Sequence, residues 1–482
     1  MFCGKHNARE GPVIQFLNVK PNDQFTYSIV LIRGQIINYN HRMGVTHLQI
    51  DNENITSCIE SAEITTDGKF KVAVELAPGM NHLTFQFCCV TNAIALVFNQ
   101  RKNPHYLLRI FYIICQNHDG HFQTKNNADN SIECACEKIN LAIRMVQCLY
   151  AEMMTKNGFA RKTFEFVKCV PFYSSLSIAE ARQWDQNQLW KHHAKEILAQ
   201  ENDTQHRYKY FGILASTLCE NGTIKGNTAL GCGDVALFGS GTMHAWPMKF
   251  AEIQRCFQDD TLVDGKLLMN DSNGRNSIGG CYATALGSLT HEIGHIFDLG
   301  HSRDGVMGND IDYVNRMFTI EKNPRDLPRR QISKCSNNLK QDISTGGITN
   351  NRRLTTIKKS NPILANYHCR RNDDLTFLTE NCAIMLNAHK WFNQTDETET
   401  SSSSIQYDSK RKIIESMLPL ALVEIRSKES GMCMQYYRFD VCSATSAAVA
   451  DPFNFTIAGN VIEQNYDLIA IDKNGHIMKW SS

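Results

Sequence analysis

The chain has 482 residues, with 50 Lys+Arg against 49 Asp+Glu, a formal charge of +1 with histidine neutral. That length corresponds to roughly two to four domains, each large enough to bury a core. The balanced charge removes the electrostatic footprint of a nucleic-acid or acidic-membrane binder, so no nucleic-acid partner is expected. A hydrophobic content of 42% against 21% charged residues excludes wholesale disorder.

Residues 16–98 have a β texture. FTYSIVLIRGQIIN, FKVAVELAPG and NAIALVF alternate or run apolar, punctuated by Pro-Asn-Asp, Asp-Gly and Pro-Gly. This predicts an antiparallel sandwich, immunoglobulin-like in pattern, over residues 1–103. Beyond Asn103-Pro104 the pattern becomes strand–helix alternation. A strand over 106–115 carries Arg109 and is too short to span a membrane. A helix capped by Ser131 is expected to run to about residue 156, with Ile139, Ile143, Val146 and Tyr150 at helical spacing. A strand over 163–170 follows, then a second helix over 177–200 opened by the Ser177/Glu180 capping-box pattern. Strands over 208–218 and 234–238 complete an α+β unit. Residues 335–361 read as a long polar loop, and a last helix is expected over 374–392. NQTDETETSSSS is a linker by composition, which sets boundaries at 104–395 for the central domain, 396–412 for the linker and 413–482 for a C-terminal β module.

Eighteen cysteines form no CxxC pair, so they do not spell a zinc knuckle. Cys88, Cys89 and Cys115 lie in apolar runs, where cysteine behaves as a small hydrophobe. MFCGKHNARE has no apolar h-region, so the expectation is a cytoplasmic protein with reduced thiols. Secretion with disulfides is the alternative. Four N-glycosylation sequons, at Asn54, Asn221, Asn393 and Asn454, decide nothing in an Asn-rich chain.

The informative segment is ALGSLTHEIGHIFDLGHSRDGVMG, residues 285–308. His291 and His295 are one helical turn apart, so their imidazoles leave the same face and can share an ion. Glu292, beside the first of them, points to the fourth coordination position. His301 comes ten residues after His291. A continuous helix would place it about 15 Å along the axis and about 80° short of three turns, away from the pair. The chain must therefore turn back, and Asp298 and Gly300 are residue types that accept left-handed backbone. The expected result is one zinc ion held by three imidazoles with an open position, the catalytic arrangement, with Glu292 as the proton carrier for amide hydrolysis. With 17 histidines in the chain, the third one makes the pattern about thirtyfold rarer by chance than a bare HExxH.

These residues resemble the metzincin metallopeptidases, whose signature is HExxHxxGxxH followed by a Met-turn. The resemblance implies that His291, His295 and His301 are zinc ligands, that Glu292 is the catalytic base and acid, and that Met307 in Gly-Val-Met-Gly is the Met-turn residue. Asp298 stands where the family has glycine. The chain is also similar to a little-characterised, fungal-type group of zinc metalloproteinases, most closely in GDVALFGSGTMHAWP and HEIGHIFDLGHSRDGVMG. In that group the HExxH domain precedes a jacalin-like lectin domain. The group implies a protein or peptide substrate. The final module here is shorter than a complete jacalin fold, which argues against carbohydrate binding.

Other candidates carry less. GDVALFGSG (233–241) is a possible substrate-pairing edge strand. Asp304 and Asp310 are possible orienters of an imidazole. His244 reads as structural and His192-His193 as a solvated part of a charged helix. Two other function classes stay open: a non-catalytic zinc-containing binding protein using its β modules for protein or carbohydrate, and a DNA-linked protease. The second would want a basic patch, for which only Arg325, Arg329 and Arg330 offer a local cluster.

Overall fold

Alternating residues such as Phe70, Val72 and Val74 bury every second side chain, and that period builds the first unit. The computed structural model describes residues 11–39, 44–55, 60–125, 128–200, 205–320, 376–394, 405–439, 451–457 and 465–481. The loop expected at 335–361 and the Arg325, Arg329 and Arg330 cluster lie outside them. Residues 1–102, with the segments 249–254 and 318–323, form one unit, and the remainder forms the other.

Among the described residues the first unit holds eight strands: β1 (Val13–Phe16), β2 (Gln24–Phe25), β3 (Ile29–Ile37), β4 (His47–Asn52), β5 (Glu60–Glu63), β6 (Lys69–Glu75), β7 (Gly79–Phe87) and β8 (Val90–Phe98). They make a three-stranded sheet, β1-β3-β6, and a five-stranded sheet, β2-β8-β7-β4-β5. Phe16 and Phe70 from the first sheet meet Phe85 from the second at 4.8 and 6.0 Å between ring centroids.

In the second unit, β9 (Tyr106–Gln116), β10 (Glu165–Ser177), β11 (Arg207–Leu214), β14 (Ala229–Cys232) and β15 (Val235–Gly239) form a sheet of order β10-β9-β11-β15-β14. Only the β14–β15 pair in it is antiparallel. A small hairpin, β12 (Leu218–Glu220) with β13 (Thr223–Lys225), stands apart from it. Helix α1 (Ile132–Lys156) is capped by Ser131, whose side chain accepts from the Cys134 N–H. Strand β10 runs seven residues beyond the expected 163–170. It passes through Pro171, which lacks the N–H a ladder needs but is tolerated because β10 is the edge of the sheet.

The single helix expected over 177–200 is two. Ser177 and Glu180 form their capping box on the short α2 (Ile178–Ala181), and Asp185 with Gln188 forms a second box that starts α3 (Gln186–Ala199). The Asp185 side chain offers its oxygen to the Gln188 N–H, which ends one helix and begins another. Helix α3 lays Leu189, Ala194 and Ile197 on the sheet beside Phe111 and Leu237.

Helix α5 (Ile278–Ile296) follows, with α4 (Ile253–Gln258) before it in the chain and α6 (Asn315–Phe318) after it. Ser277 caps α5 through the Gly280 N–H. Glycines at its buried positions allow close approach: a Cβ at Gly287 would lie 1.9 Å from the Ile311 carbonyl oxygen. The last helix, α7, is shorter than expected, Glu380–Ala388, because His389 takes extended backbone. The C-terminal strands β16 (Ile405–Asp408), β17 (Ile413–Ser416) and β20 (Asn454–Thr456) form one sheet. Strands β18 (Leu420–Ser427), β19 (Cys433–Arg438), β21 (Tyr466–Asp472) and β22 (Ile477–Ser481) form another, over a core that includes Ile414, Val423, Phe455 and Leu468. The chain is thus α+β, mostly sheet. Among the described residues no helix is long and apolar enough to cross a membrane.

Candidate metal centre

Helix α5 presents His291 and His295 one turn apart, and their Nε2 atoms lie 3.0 Å from each other. The chain does turn back. Asp298 takes φ +63°, the left-handed conformation expected there. Gly300 does not; its lack of a side chain serves closeness instead, since a Cβ there would lie 2.6 Å from Arg426 Nε. His301 then reaches the pair, and ligand atoms of the three imidazoles all lie within 4.8 Å of one another.

The other ring nitrogen of each imidazole is committed to a backbone carbonyl. His291 Nδ1 lies 2.8 Å from the Val306 oxygen, His295 Nδ1 2.9 Å from Leu299, and His301 Nδ1 2.6 Å from Ser430. A carbonyl only accepts, so each Nδ1 must carry the proton and each Nε2 keeps its lone pair. Burial favours the neutral rings. It holds His291 down at about 4, His295 well below the usual imidazole range and His301 below it, while each carbonyl bond pulls the other way.

Glu292 is buried, and its Oε2 accepts the Gly231 N–H at 2.7 Å. Burial raises its carboxyl to about 8 against the pull of that bond. Gly231 lies on β14 so close to α5 that a Cβ would sit 2.3 Å from the Glu292 carbonyl oxygen. Met307 is buried under the helix. A Cβ on Gly294 would meet its sulfur at 2.4 Å, and the Met307 carbonyl accepts the Ser302 N–H at 3.0 Å.

The turn after α5 is anchored by charge. The buried Asp298 carboxylate pairs with Lys479, His389 Nε2 (3.2 Å) and Lys209 (3.8 Å). These partners hold its carboxyl well below the usual range despite burial. Arg426, itself bound to Glu424, donates to the Asp298 carbonyl at 2.6 Å. The C-terminal sheets also reach His301 directly. Its N–H donates to the Gly431 carbonyl at 3.0 Å, and its own carbonyl accepts the Cys433 N–H at 2.9 Å.

Several weaker expectations fall differently. The stretch 233–241 is not the sheet edge: β15 is interior and buried throughout, and the edge is β14, four residues upstream. Asp310 accepts the Gly305 N–H, and the three imidazoles are oriented by main-chain carbonyls rather than by it or by Asp304. His244 hydrogen-bonds the Met269 carbonyl at 3.0 Å. His193 is fully buried, not solvated. Ser430 was out of reach of motif reading, because a backbone carbonyl 129 residues from its partner leaves no sequence signal.

A family model described as "Putative peptidase family" (Metallopep) matches residues 13–388. The chain belongs to that family. A "Putative zinc metalloproteinase" of Saccharomyces cerevisiae is 24% identical over 349 residues, 64% of this chain and 49% of that protein. A second, of Schizosaccharomyces pombe, is 25% identical over 338 residues, 63% of this chain and 53% of that protein. The chain thus spans about half the length of the curated relatives it matches. Among solved structures, OgpA from Akkermansia muciniphila aligns at TM-score 0.40 and 13% identity, over 79% of this chain and 94% of that one.

Proposed function

We propose that this chain is a zinc-dependent metalloendopeptidase of metzincin type, hydrolysing peptide bonds in protein or peptide substrates. The observation that carries the reading is the convergence of three lone pairs. With every Nδ1 donating to a carbonyl, the Nε2 atoms of His291, His295 and His301 are left as neutral donors on one point. Tetrahedral ligands at about 2.0–2.1 Å from zinc stand about 3.3–3.4 Å apart, close to the 3.0 Å between the first two imidazoles. The donor set fits zinc. Bound there, zinc supplies a Lewis acid for the substrate carbonyl and makes water a nucleophile near neutral pH.

The remaining work belongs to the chain. Glu292, adjacent to the first ligand, takes the proton from the attacking water and delivers it to the departing amine. Strand β14 is the antiparallel edge beside α5, and an extended peptide pairing with it would lie along the ligand helix. Met307 supports the floor beneath His291 and His295 through Gly294. The organisation that goes with this reading is an N-terminal sandwich (1–103), a peptidase domain (104–395) and a C-terminal module (413–482).

The test is Glu292→Ala in the full chain. It should keep about one zinc at the three histidines and abolish cleavage of a peptide library. If wild-type protein binds no zinc that His295→Ala removes, the proposal fails.

A further inference from the structure

A second cluster of side chains of metal-ligating types lies on α3, outside the three-histidine centre. His192, His193 and Glu196 each offer a ligand atom, and those atoms lie within 4.8 Å of one another. We propose that His192 Nε2, His193 Nδ1 and a Glu196 oxygen form a second site for a divalent transition-metal ion of the zinc class, tying α3 to β10.

Three observations carry this. The first is unmet hydrogen bonding. His193 is 0% exposed and its Nε2 is buried with no hydrogen-bond partner, while its Nδ1 and His192 Nε2 are buried facing the Glu196 carboxylate without reaching good hydrogen-bond geometry. Buried imidazole nitrogens held beside a carboxylate without good hydrogen-bond geometry are costly, and a metal ion between them would satisfy all three. The second is spacing. His192 Nε2 is 3.3 Å and His193 Nδ1 is 3.5 Å from Glu196 Oε2. Ligands at about 2.0–2.2 Å from a tetrahedral zinc stand about 3.3–3.6 Å apart, so both separations match the edge of that tetrahedron.

The third is the support behind the carboxylate. Glu196 Oε1 accepts the Ser175 N–H at 2.8 Å and the Ser175 hydroxyl at 2.5 Å, while Oε2 accepts the Ser174 hydroxyl at 2.5 Å. Those three donors fix the carboxylate in rotation. This is the way ligand carboxylates are held in metal sites. Trp184 packs edge-on against His192 at 5.5 Å and limits the ring's freedom. Two neutral imidazoles and one carboxylate suit zinc, cobalt(II) or nickel(II) better than calcium or magnesium, which prefer all-oxygen shells.

The proposal does not depend on hydrolytic activity. The experiment counts metal in the full chain after zinc loading and desalting, then repeats the count with cobalt(II). In a His291→Ala/His295→Ala background, about one equivalent should remain. His192→Ala in that background should remove it, as should Glu196→Gln. In cobalt-loaded protein the d–d absorption of the residual site should vanish with His192→Ala. Should the double background not fold, the comparison becomes wild type against His192→Ala, a half-exposed change, with a loss of one equivalent expected. No residual equivalent in the folded background, or one that His192→Ala leaves untouched, overturns the site. So does an unchanged count between wild type and His192→Ala.

Discussion

The Gly231 N–H donates to Glu292 Oε2 at 2.7 Å, joining the antiparallel edge strand β14 to α5 through the side chain proposed as general base. The bond requires strand and helix to touch, and only glycine at 231 allows it. Gly231→Ala should push β14 away from α5 and release the carboxylate while leaving the three imidazoles in place. The expected outcome is peptide turnover lower by at least about tenfold, roughly 1.4 kcal/mol, with zinc content unchanged. Loss of zinc in parallel with activity would contradict this division of labour.

Gly431 has φ +65°, and a Cβ there would lie 3.4 Å from His301 Nδ1. Gly431→Ala strains the turn whose Ser430 carbonyl fixes the His301 tautomer. Loss of such outer partners typically weakens metal binding about 10–100-fold. A chelator competition assay should therefore show a zinc Kd at least tenfold higher, with far-ultraviolet circular dichroism unaltered.

Gly294→Ala sets helix propensity, a gain of about 1 kcal/mol, against a collision with Met307. The sulfur would be 2.4 Å away and the Tyr150 hydroxyl 3.0 Å, and a hydroxyl that donates to the Thr290 carbonyl cannot move freely. The collision should win. Denaturant unfolding should show Gly294→Ala destabilised, and Met307→Ala in the same chain should recover part of the loss as a positive coupling in the double-mutant cycle.

Asp298→Ala removes the carboxylate facing Lys209, which is buried, and Lys479 and His389. Breaking a buried pair by deleting one partner costs about 3–5 kcal/mol. A loss below 1 kcal/mol in urea unfolding would contradict the anchoring role.

Acid should weaken the protein as its buried histidines titrate. Burial lowers His389 against the pull of Asp298, His244 against the Met269 carbonyl, and His118 against Asp119. A histidine held below its ordinary value protonates first in the unfolded chain. Stability therefore falls as pH drops below about 6.5, toward the lower folded values. Melting temperature in metal-free buffer should decline from pH 7.5 to 5.5, and His389→Gln should make that slope shallower.

Legibility followed the range of each interaction. The His291/His295 pair, the Ser131 and Ser177 caps and the reversal at Asp298 are local, and each was readable from a few neighbouring side chains. The Asp185/Gln188 box was equally local but was hidden inside an apolar period that continued across it. His193 also had a signal: it lies four residues from both Leu189 and Ile197, on the buried stripe of α3, so its flanking charges were a poor guide. The sheet edge at β14 depended on strand order, and the role of Ser430 depended on a fold that returns its carbonyl from 129 residues away. Neither is encoded by residue type.

That sequence distance has a consequence in time. At a synthesis rate of about 5–20 residues per second, Ser430 follows His301 off the ribosome by roughly 6–26 seconds. Throughout that interval the first two imidazoles have their carbonyl partners, from Leu299 and Val306, within or soon after the motif itself, while the third has none. On the proposed zinc reading, the third imidazole therefore gains its orienting carbonyl only when the C-terminal strands arrive, after most of the polypeptide has been made.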